Sequence, residues 1–448
     1  MQNNFSYMES KPAAQFFSYA VPAILGMLLT SGIVIIDGLF IGNIIGEKGL
    51  ASVNLTLPVF YLFLGIAIMI GVGGAVKVGH ALGAGKQNQV NSYFSSTIVL
   101  ALFIITVLTL LCFAFLDPLL EKINTNQGLS QFVESYLSTI LWFYPIIMIN
   151  IIFSIFLRAQ GKPGIALLFD LSGNILNIIL DYLMIARWGM GLNGAALASG
   201  ISVIIPMGCA IIYFLSGHSV IKFAKFSLNW RDMGQTLFNG SSEMIGQLSI
   251  GITTWIFNIV ILSRMGIDGV AAYAIVGYVV FVQIMIITGF AIGLGPIIGY
   301  SFGAGKTDHV KHVMRIALIS GFITGAICWI IVLFSSSAIA KSFAGGNQDI
   351  TILARSGFAL FTTAFLLNGF NILTTTYFTA IGNAGTSAII AFLRGVLLIN
   401  IFVLVLPLFM GDTGIWISYP LAEFTTLIFS MVFLHKNYRS ANHISMAD

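Results

Sequence analysis

Charged side chains are scarce in this sequence. They make up 8% of its 448 residues, whereas hydrophobic residues make up 58% and mean hydropathy is +0.97. Soluble domains carry about 25% charged residues, so these few charges could not cover a water-facing surface. The net charge is +4, but the basic residues are spread over short loops and form no stripe. We therefore expect a lipid bilayer as partner, and no nucleic acid.

Cysteines and catalytic patterns are scarce as well. The 3 cysteines lie in separate apolar runs without metal-ligand spacing, which favours buried small side chains. The sequence has no Ser/His/Asp set, and its Gly-Ala-Gly-Lys segments lack the Gly-Lys-Ser/Thr ending of a phosphate-binding loop. We expect no enzymatic activity and no cofactor. Polar residues 1–13 precede an apolar run long enough to span a membrane, so we expect no cleaved signal peptide.

An internal repeat of about 220 residues is the main pattern that the sequence does contain. The tetrapeptide Gly-Ala-Gly-Lys occurs at 83–86 and again at 303–306. Other glycines recur at this spacing or one residue out of step, in the pairs Gly46/Gly266, Gly73/Gly293, Gly161/Gly382 and Gly191/Gly411. In a membrane chain, two matching halves enclose a cleft, which is where transporters bind substrate.

Twelve apolar runs are long enough to cross a bilayer, which takes about 20 residues of helix. They span 14–44, 51–81, 93–116, 130–158, 163–187, 193–215, 236–263, 270–300, 310–340, 351–380, 386–409 and 413–434. Each half holds an even number of runs, so the repeats are parallel. The sequence predicts an all-α integral membrane protein with two parallel six-helix repeats around a central cleft. The expected units are an N-terminal lobe (1–215), a cytoplasmic linker (216–235) and a C-terminal lobe (236–448).

The distribution of basic residues predicts the orientation. With the N-terminus inside, the cytoplasmic segments hold 13 lysines and arginines and the opposite segments hold 6. This bias favours both termini in the cytoplasm. We expect a multi-pass protein of the inner or plasma membrane.

Acidic and amide side chains interrupt the apolar runs of the first half. An ionisable group near the membrane centre costs about 3 kcal/mol on insertion scales, so Asp37 in the first run is a candidate functional residue. In the fifth run, Asn177 and Asp181 share one helical face. Burial and a neighbouring carboxylate both disfavour a charged carboxyl group. Asp37 and Asp181 could thus hold a proton in one state and a cation such as Na⁺ in another.

Asn174 and Ser199 are weaker candidates for the same site. Asn174 precedes Asn177 by three residues, and it either joins the ion site or forms an interhelical hydrogen bond. Ser199 in the sixth run either offers a hydroxyl oxygen or simply allows close packing.

The second half lacks these acids, since Phe257 is aligned with Asp37. It has instead Glu243 in run seven, Arg394 in run eleven and Glu423 in run twelve. Glu243 could line a vestibule of the cleft. Arg394 and Glu423 either add charge to the cleft or pair with each other, because intramembrane charges usually have partners.

The sequence resembles the multidrug and toxic compound extrusion (MATE) family over essentially its full length. The resemblance is carried by Pro22 followed by Asp37, by the two Gly-Ala-Gly-Lys loops, by the turn at 158–163 and by Asn177-x-x-x-Asp181. The set of Asp37, Asn177 and Asp181 is similar to the DinF-like branch, which includes MepA-type bacterial pumps.

The resemblance implies a function and several residue roles. Members of the family export cationic or aromatic compounds by alternating access, in exchange for H⁺ or Na⁺, and the resemblance suggests a monomer. It assigns the coupling ion to Asp37, Asn177 and Asp181, places Ser199 at a position usually held by threonine, and implies bending of the first helix at Pro22. Run ten has no aspartate, which weakens the case for a second cation site in the C-terminal lobe. The alternative is a lipid-linked precursor flippase of the same superfamily.

Overall fold

The computed structural model describes residues 11–123, 129–225 and 229–444, which are helical apart from short connections. Eleven of the helices are long and apolar enough to cross a membrane, and two are short. In chain order, the helices are α1 (Pro12–Ile45), α2 (Glu47–Gly83), α3 (Gln87–Ala114), α4 (Leu116–Ile123), α5 (Ser130–Ala159), α6 (Pro163–Arg187), α7 (Gly191–Leu215), α8 (Trp230–Asn239), α9 (Ser241–Gly303), α10 (Thr307–Phe343), α11 (Gln348–Ala380), α12 (Ala384–Met410) and α13 (Asp412–Ile444).

Helix α9 accounts for the difference between eleven long helices and twelve predicted spans. It is 63 residues long, and at Gly266 its backbone leaves the helical region with φ 66° and ψ −160°. Glycine tolerates this conformation because it has no Cβ. Gly266 divides α9 into a first limb, 241–265, and a second limb, 267–303, which match two of the predicted runs. The predicted all-α membrane fold with twelve spans is confirmed.

The sequence repeat is also a repeat of backbone conformation. Four pairs of equivalent glycines adopt left-handed φ angles in both halves: Gly46 and Gly266 (92° and 66°), Gly85 and Gly305 (69° and 70°), Gly161 and Gly382 (88° and 79°), and Gly191 and Gly411 (59° and 61°). Residues with a Cβ are strained in this region, which explains why glycine occupies both members of each pair. The duplication is therefore a property of the scaffold.

The N-lobe (α1–α7) and the C-lobe (α9–α13) meet near the two Gly-Ala-Gly-Lys loops. A Cβ at Gly83 would overlap the carbonyl oxygen of Tyr300, and a Cβ at Gly303 would overlap that of His80. The repeat relates these two contacts, because both residue pairs are 220 positions apart. Nε2 of His80 also lies 2.7 Å from the carbonyl oxygen of Ala380, to which it donates. The backbones of α2 and of the second limb of α9 are thus in direct contact at this end.

Each lobe also extends the start of its first helix onto the other lobe. A Cβ at Gly293 in the C-lobe would lie 2.7 Å from the Cα of Ala20 in α1. Reciprocally, a Cβ at Gly240, just before α9, would overlap the carbonyl oxygen of Met69 in α2. These contacts lie between the middle of the helices and the Gly-Ala-Gly-Lys loops. We infer that the cleft opens at the opposite end, towards which α1 carries Asp37.

The connection between the lobes is bound to the N-lobe. Gln160 Oε1 accepts a hydrogen bond from Ser219 Oγ at 2.9 Å, and Asn91 Oδ1 accepts one from the backbone N–H of Lys222 at 3.0 Å. Gln160 belongs to the repeated turn between α5 and α6. This turn therefore holds the connection as well as reversing the chain.

Candidate functional site

Asp37 and Asp181 lie against each other on neighbouring helices. Asp37 is in α1, Asp181 is in α6, and their carboxyl groups are close enough to interact directly. Asp181 is 1% exposed, whereas Asp37 is half-buried. A carboxylate has no donor, so a hydrogen bond between two carboxyl groups needs a proton on one of them. Two carboxyl groups this close would be stabilised by one positive charge, either a proton or a small cation.

Unsatisfied polar atoms surround this pair. Asp37 Oδ1, Asp181 Oδ2 and Asn177 Nδ2 are buried without a hydrogen-bond partner, although buried polar atoms are normally satisfied. The carboxylate and amide oxygens here suit a hard cation such as Na⁺. No group of three or more His, Cys, Asp or Glu side chains gathers within the described residues. The chemistry of these oxygen atoms would fit H⁺ or Na⁺.

Tyr136 lies near this site and packs against the cluster that contains Ile41 and Ile185, which the sequence reasoning missed. It lies in α5, and its phenol interacts electrostatically with both Asp37 and Asp181. A phenol can donate a hydrogen bond to a carboxylate or offer an oxygen to a cation. The sequence gives little indication of this position for Tyr136, because tyrosine is common in membrane helices near the lipid interface.

The helix geometry changes one turn after Asp37 and directly after Asp181. A π-helical turn over Ile41–Ile45 follows Asp37, and another over Tyr182–Arg187 follows Asp181. Such turns are rare and frequently occur at functional sites. Ile41 and Ile185 from these turns belong to one buried apolar cluster. The cluster closes the site on the side of the π-helical turns.

Asn174 and Ser199 lie farther from the acidic pair. Nδ2 of Asn174 donates to Oγ1 of Thr30 in α1 at 3.4 Å, which is an interhelical contact two turns away from Asp37. The carbonyl oxygen of Ser199 accepts from Ser202 Oγ at 2.9 Å. The Ser199 hydroxyl forms no hydrogen bond within the part of the chain that the structure describes. Their roles in ion binding stay predictions.

Pro22 lies in a segment of α1 that is held by the C-lobe. Helix α1 runs through this proline without a break. The Cα of its neighbour Ala20 would lie 2.7 Å from a Cβ at Gly293 in the C-lobe. The Cα of Ile24 would lie 2.6 Å from a Cβ at Gly289. A bend at Pro22 would therefore move the Asp37 half of α1 relative to an anchored N-terminal half.

Arg394 and Glu423 form an ion pair inside the C-lobe. Nε of Arg394 donates to Oε1 of Glu423 at 2.7 Å, and the Glu423 side chain is 1% exposed. This is the pairing that the sequence analysis left open beside a role in the cleft. The two charges neutralise each other.

Glu243 is near the junction of the lobes, in the first limb of α9. On one side of it, Ser242 Oγ lies 3.0 Å from Thr379 Oγ1 in the C-lobe. On the other side, Met244 Cγ lies 3.5 Å from a Cβ built on Gly65 in the N-lobe. Glu243 is half-buried between them, and its carboxylate forms no hydrogen bond or ion pair within the described residues. Its place suits a charge at the base of the cleft.

Curated relatives match the chain over nearly its full length. Multidrug export protein MepA of Staphylococcus haemolyticus (strain JCSC1435) is 29% identical over 442 residues, covering 97% of this chain and 96% of the relative. The protein of the same name from Staphylococcus aureus (strain MSSA476) is 27% identical over 435 residues, covering 96% and 95%.

Solved structures show the same fold. A MATE protein in complex with MaL6 matches with TM-score 0.93 at 20% identity, covering 99% of this chain and 100% of that one. An outward-facing multidrug resistance MATE transporter of the MOP superfamily matches with TM-score 0.93 at 20% identity, covering 99% of each chain.

A family model matches the chain twice, once in each half. The MatE model covers residues 22–183 and residues 244–406, which together exceed half of the chain and follow the repeat. The resemblance that the sequence motifs indicated is confirmed, and this chain belongs to the MatE family.

Proposed function

We propose that the protein is a multidrug efflux antiporter that exports cationic or aromatic compounds in exchange for H⁺ or Na⁺. The observation that carries the proposal is the contact between Asp37 and Asp181. Within the described residues, neither acid forms an ion pair with a lysine or arginine. The names of the MepA relatives support export of drugs. Charge without a protein partner in a membrane protein usually marks an ion or substrate pathway.

Ion exchange at the acidic pair would drive the cycle. A proton or Na⁺ bound by Asp37, Asp181 and Asn177 relieves the repulsion between the carboxylates. Loss of the ion forces them apart, and α1 can respond by bending at Pro22, where the helix lacks one backbone hydrogen bond. Tyr136 and Asn177 would hold the ion, while Asn174 keeps α6 attached to α1.

The substrate would lie in the cleft between the lobes. Glu243 supplies negative charge at its base, which attracts cationic compounds. Arg394 and Glu423 are paired and add no net charge there. A lipid-linked precursor carries phosphate, which the uncompensated acids would repel. The flippase alternative therefore has no observation in its favour.

The orientation follows from the loop charges. With both termini in the cytoplasm, the joined ends of α2 and α9 face the cytoplasm and the cleft opens outwards. Asp37 is then reached by ions from outside. We expect a monomer in the plasma membrane, because each chain already contains both lobes.

Transport and coupling can be tested in proteoliposomes. Export of ethidium is measured with a pH gradient and a Na⁺ gradient imposed separately. We expect at least one gradient to drive export by wild-type protein, and neither to drive it in Asp37→Asn or Asp181→Asn. Asp117→Asn, which changes an exposed acid of α4, is the matched control and should transport normally. Equal export by all four proteins would contradict the mechanism.

A further inference from the structure

The buried acid of the C-lobe has donors on both of its oxygens. Oε1 of Glu423 accepts from Arg394 Nε at 2.7 Å, and Oε2 accepts from Asn371 Nδ2 at 2.7 Å. Oδ1 of Asn371 accepts in turn from Ser430 Oγ at 2.9 Å. In the N-lobe, by contrast, Asp37 and Asp181 each leave one oxygen without a partner.

The cation in this network is part of the protein. The Arg394 side chain is 25% exposed, whereas that of Glu423 is 1% exposed. Arg394 also interacts with Tyr419, whose hydroxyl accepts from Asn368 Nδ2 at 3.3 Å. Arg394 and Tyr419 are the titratable groups that face Glu423 in the described residues, and the contact from α11 is a neutral amide. The negative charge of Glu423 is thus compensated by a single guanidinium, that of Arg394.

The two polar sites share one pair of equivalent helices in the repeated scaffold, although their charged residues are not at equivalent positions. Arg394 is in α12, the repeat of α6, which carries Asp181. Tyr419 in α13 is 220 residues after Ser199 in α7, the same spacing as between Gly191 and Gly411. One scaffold therefore holds a pair of acids without a basic partner in one lobe, and one acid with a basic partner in the other.

We propose that Arg394 is a tethered counter-cation, which gives the acid of the C-lobe permanently the one positive charge that the N-lobe pair gains only when it binds H⁺ or Na⁺. The guanidinium stays charged at any physiological pH, so Glu423 exchanges no ion during the cycle. The proposal rests on the proposed coupling at Asp37 and Asp181. It predicts that removing Arg394 turns Glu423 into a new site for H⁺ or Na⁺.

Thermal unfolding of the purified full-length protein tests this without relying on transport. The background is Asp37→Asn/Asp181→Asn, which silences the N-lobe pair. In this background, the Tm of the Arg394→Met variant should fall by about 5 °C when the pH is raised from about 5 to about 8. NaCl should restore part of this loss, whereas choline chloride should not. Stability falls as pH rises because the folded protein would hold a proton on Glu423 more tightly than the unfolded chain does.

Three further variants separate charge from packing. Arg394→Lys keeps a cation, and Arg394→Met/Glu423→Gln removes both charges, so both should show no more pH or Na⁺ dependence than the background. Arg355→Met makes the same change at an exposed arginine of α11 and should also match it.

The outcome for Arg394→Met decides the proposal. A Tm as independent of pH and Na⁺ as in the background would overturn it. Should this variant not fold at neutral pH, recovery by Glu423→Gln supports the proposal, and failure to recover contradicts it. Ion-dependent stability here, together with ethidium export that does not need Asp37, would leave the tethered cation standing and refute the proposed coupling site instead.

Discussion

The N-lobe and the C-lobe each place acidic side chains within their membrane helices, but within the described residues only the acid of the C-lobe has a basic partner. In the N-lobe, Asp37 and Asp181 lie against each other, and we propose that H⁺ or Na⁺ from outside the protein compensates them. In the C-lobe, Arg394 provides that charge to Glu423 at 2.7 Å. The difference teaches that duplication supplies the helices, the turns and the cleft. In the proposed mechanism, a few unmatched side chains then decide which half exchanges ions.

Matched carboxamide substitutions should have opposite effects in the two lobes. Asp181→Asn is expected to reduce ion-driven export roughly 100-fold, because a charged ligand is lost, with little loss of stability. Glu423→Gln should lower the free energy of unfolding by about 3 kcal/mol, because it leaves Arg394 unpaired, while export remains ion-driven. Proteoliposome transport and thermal unfolding measure the two properties. The same pattern of effects in both variants would remove the distinction between the lobes.

The junction glycines should behave alike in both halves. A Cβ at Gly83 or at Gly303 would overlap a backbone oxygen of the other lobe, so each change to Ala should cost about 2 kcal/mol of stability. Gly164→Ala is the control, since open space surrounds that position. Thermal unfolding of the three variants makes the comparison. A loss confined to one of the two junction variants would argue against a symmetric contact.

Tyr136 should tune the ion site without being essential for it. Tyr136→Phe removes one hydroxyl near Asp37 and Asp181, which should weaken the apparent affinity for the driving ion by about fivefold. Initial export rates at graded ion concentrations measure this affinity. Tyr182→Phe is the control, because Tyr182 is 52% exposed. Identical ion dependence in both variants would exclude Tyr136 from the site.

The loop glycines should show a smaller effect that is again equal in both halves. Gly85 and Gly305 have φ of 69° and 70° with open space around them. Alanine at either position should therefore cost about 1 kcal/mol from backbone strain alone. Thermal unfolding of the two variants measures this loss. A loss of stability in only one of them would contradict the equivalence of the two loops.

The sequence was sufficient for the scaffold because its signals are local or periodic. Apolar runs predict spans, and the paired glycines predict where both halves turn. It also predicted the acids as candidates, since a carboxyl group such as Asp37 in an apolar run has few structural reasons to be there; their role in ion binding stays a prediction. Gly266 shows the limit, because the sequence predicts two spans there but not that a single left-handed glycine separates them.

Contacts between helices were beyond the reach of the sequence. Tyr136 comes near the acidic pair only because α5 packs beside α6 and α7, and nothing in its local sequence indicates this. Whether Arg394 adds charge to the cleft or pairs with Glu423 likewise depended on its distance from Glu423 in α13. The crossing of α1 onto the C-lobe could not be predicted either, since a backbone contact such as Ala20 with Gly293 has no pattern of its own.

Ion release on drug binding tests the central claim most directly. Ethidium is added to weakly buffered, purified protein, and the H⁺ or Na⁺ set free is measured. If the N-lobe alone exchanges the ion, wild type and Glu423→Gln release similar amounts, and Asp37→Asn/Asp181→Asn releases none. Undiminished release from the N-lobe double variant, or its loss in Glu423→Gln, would contradict the account.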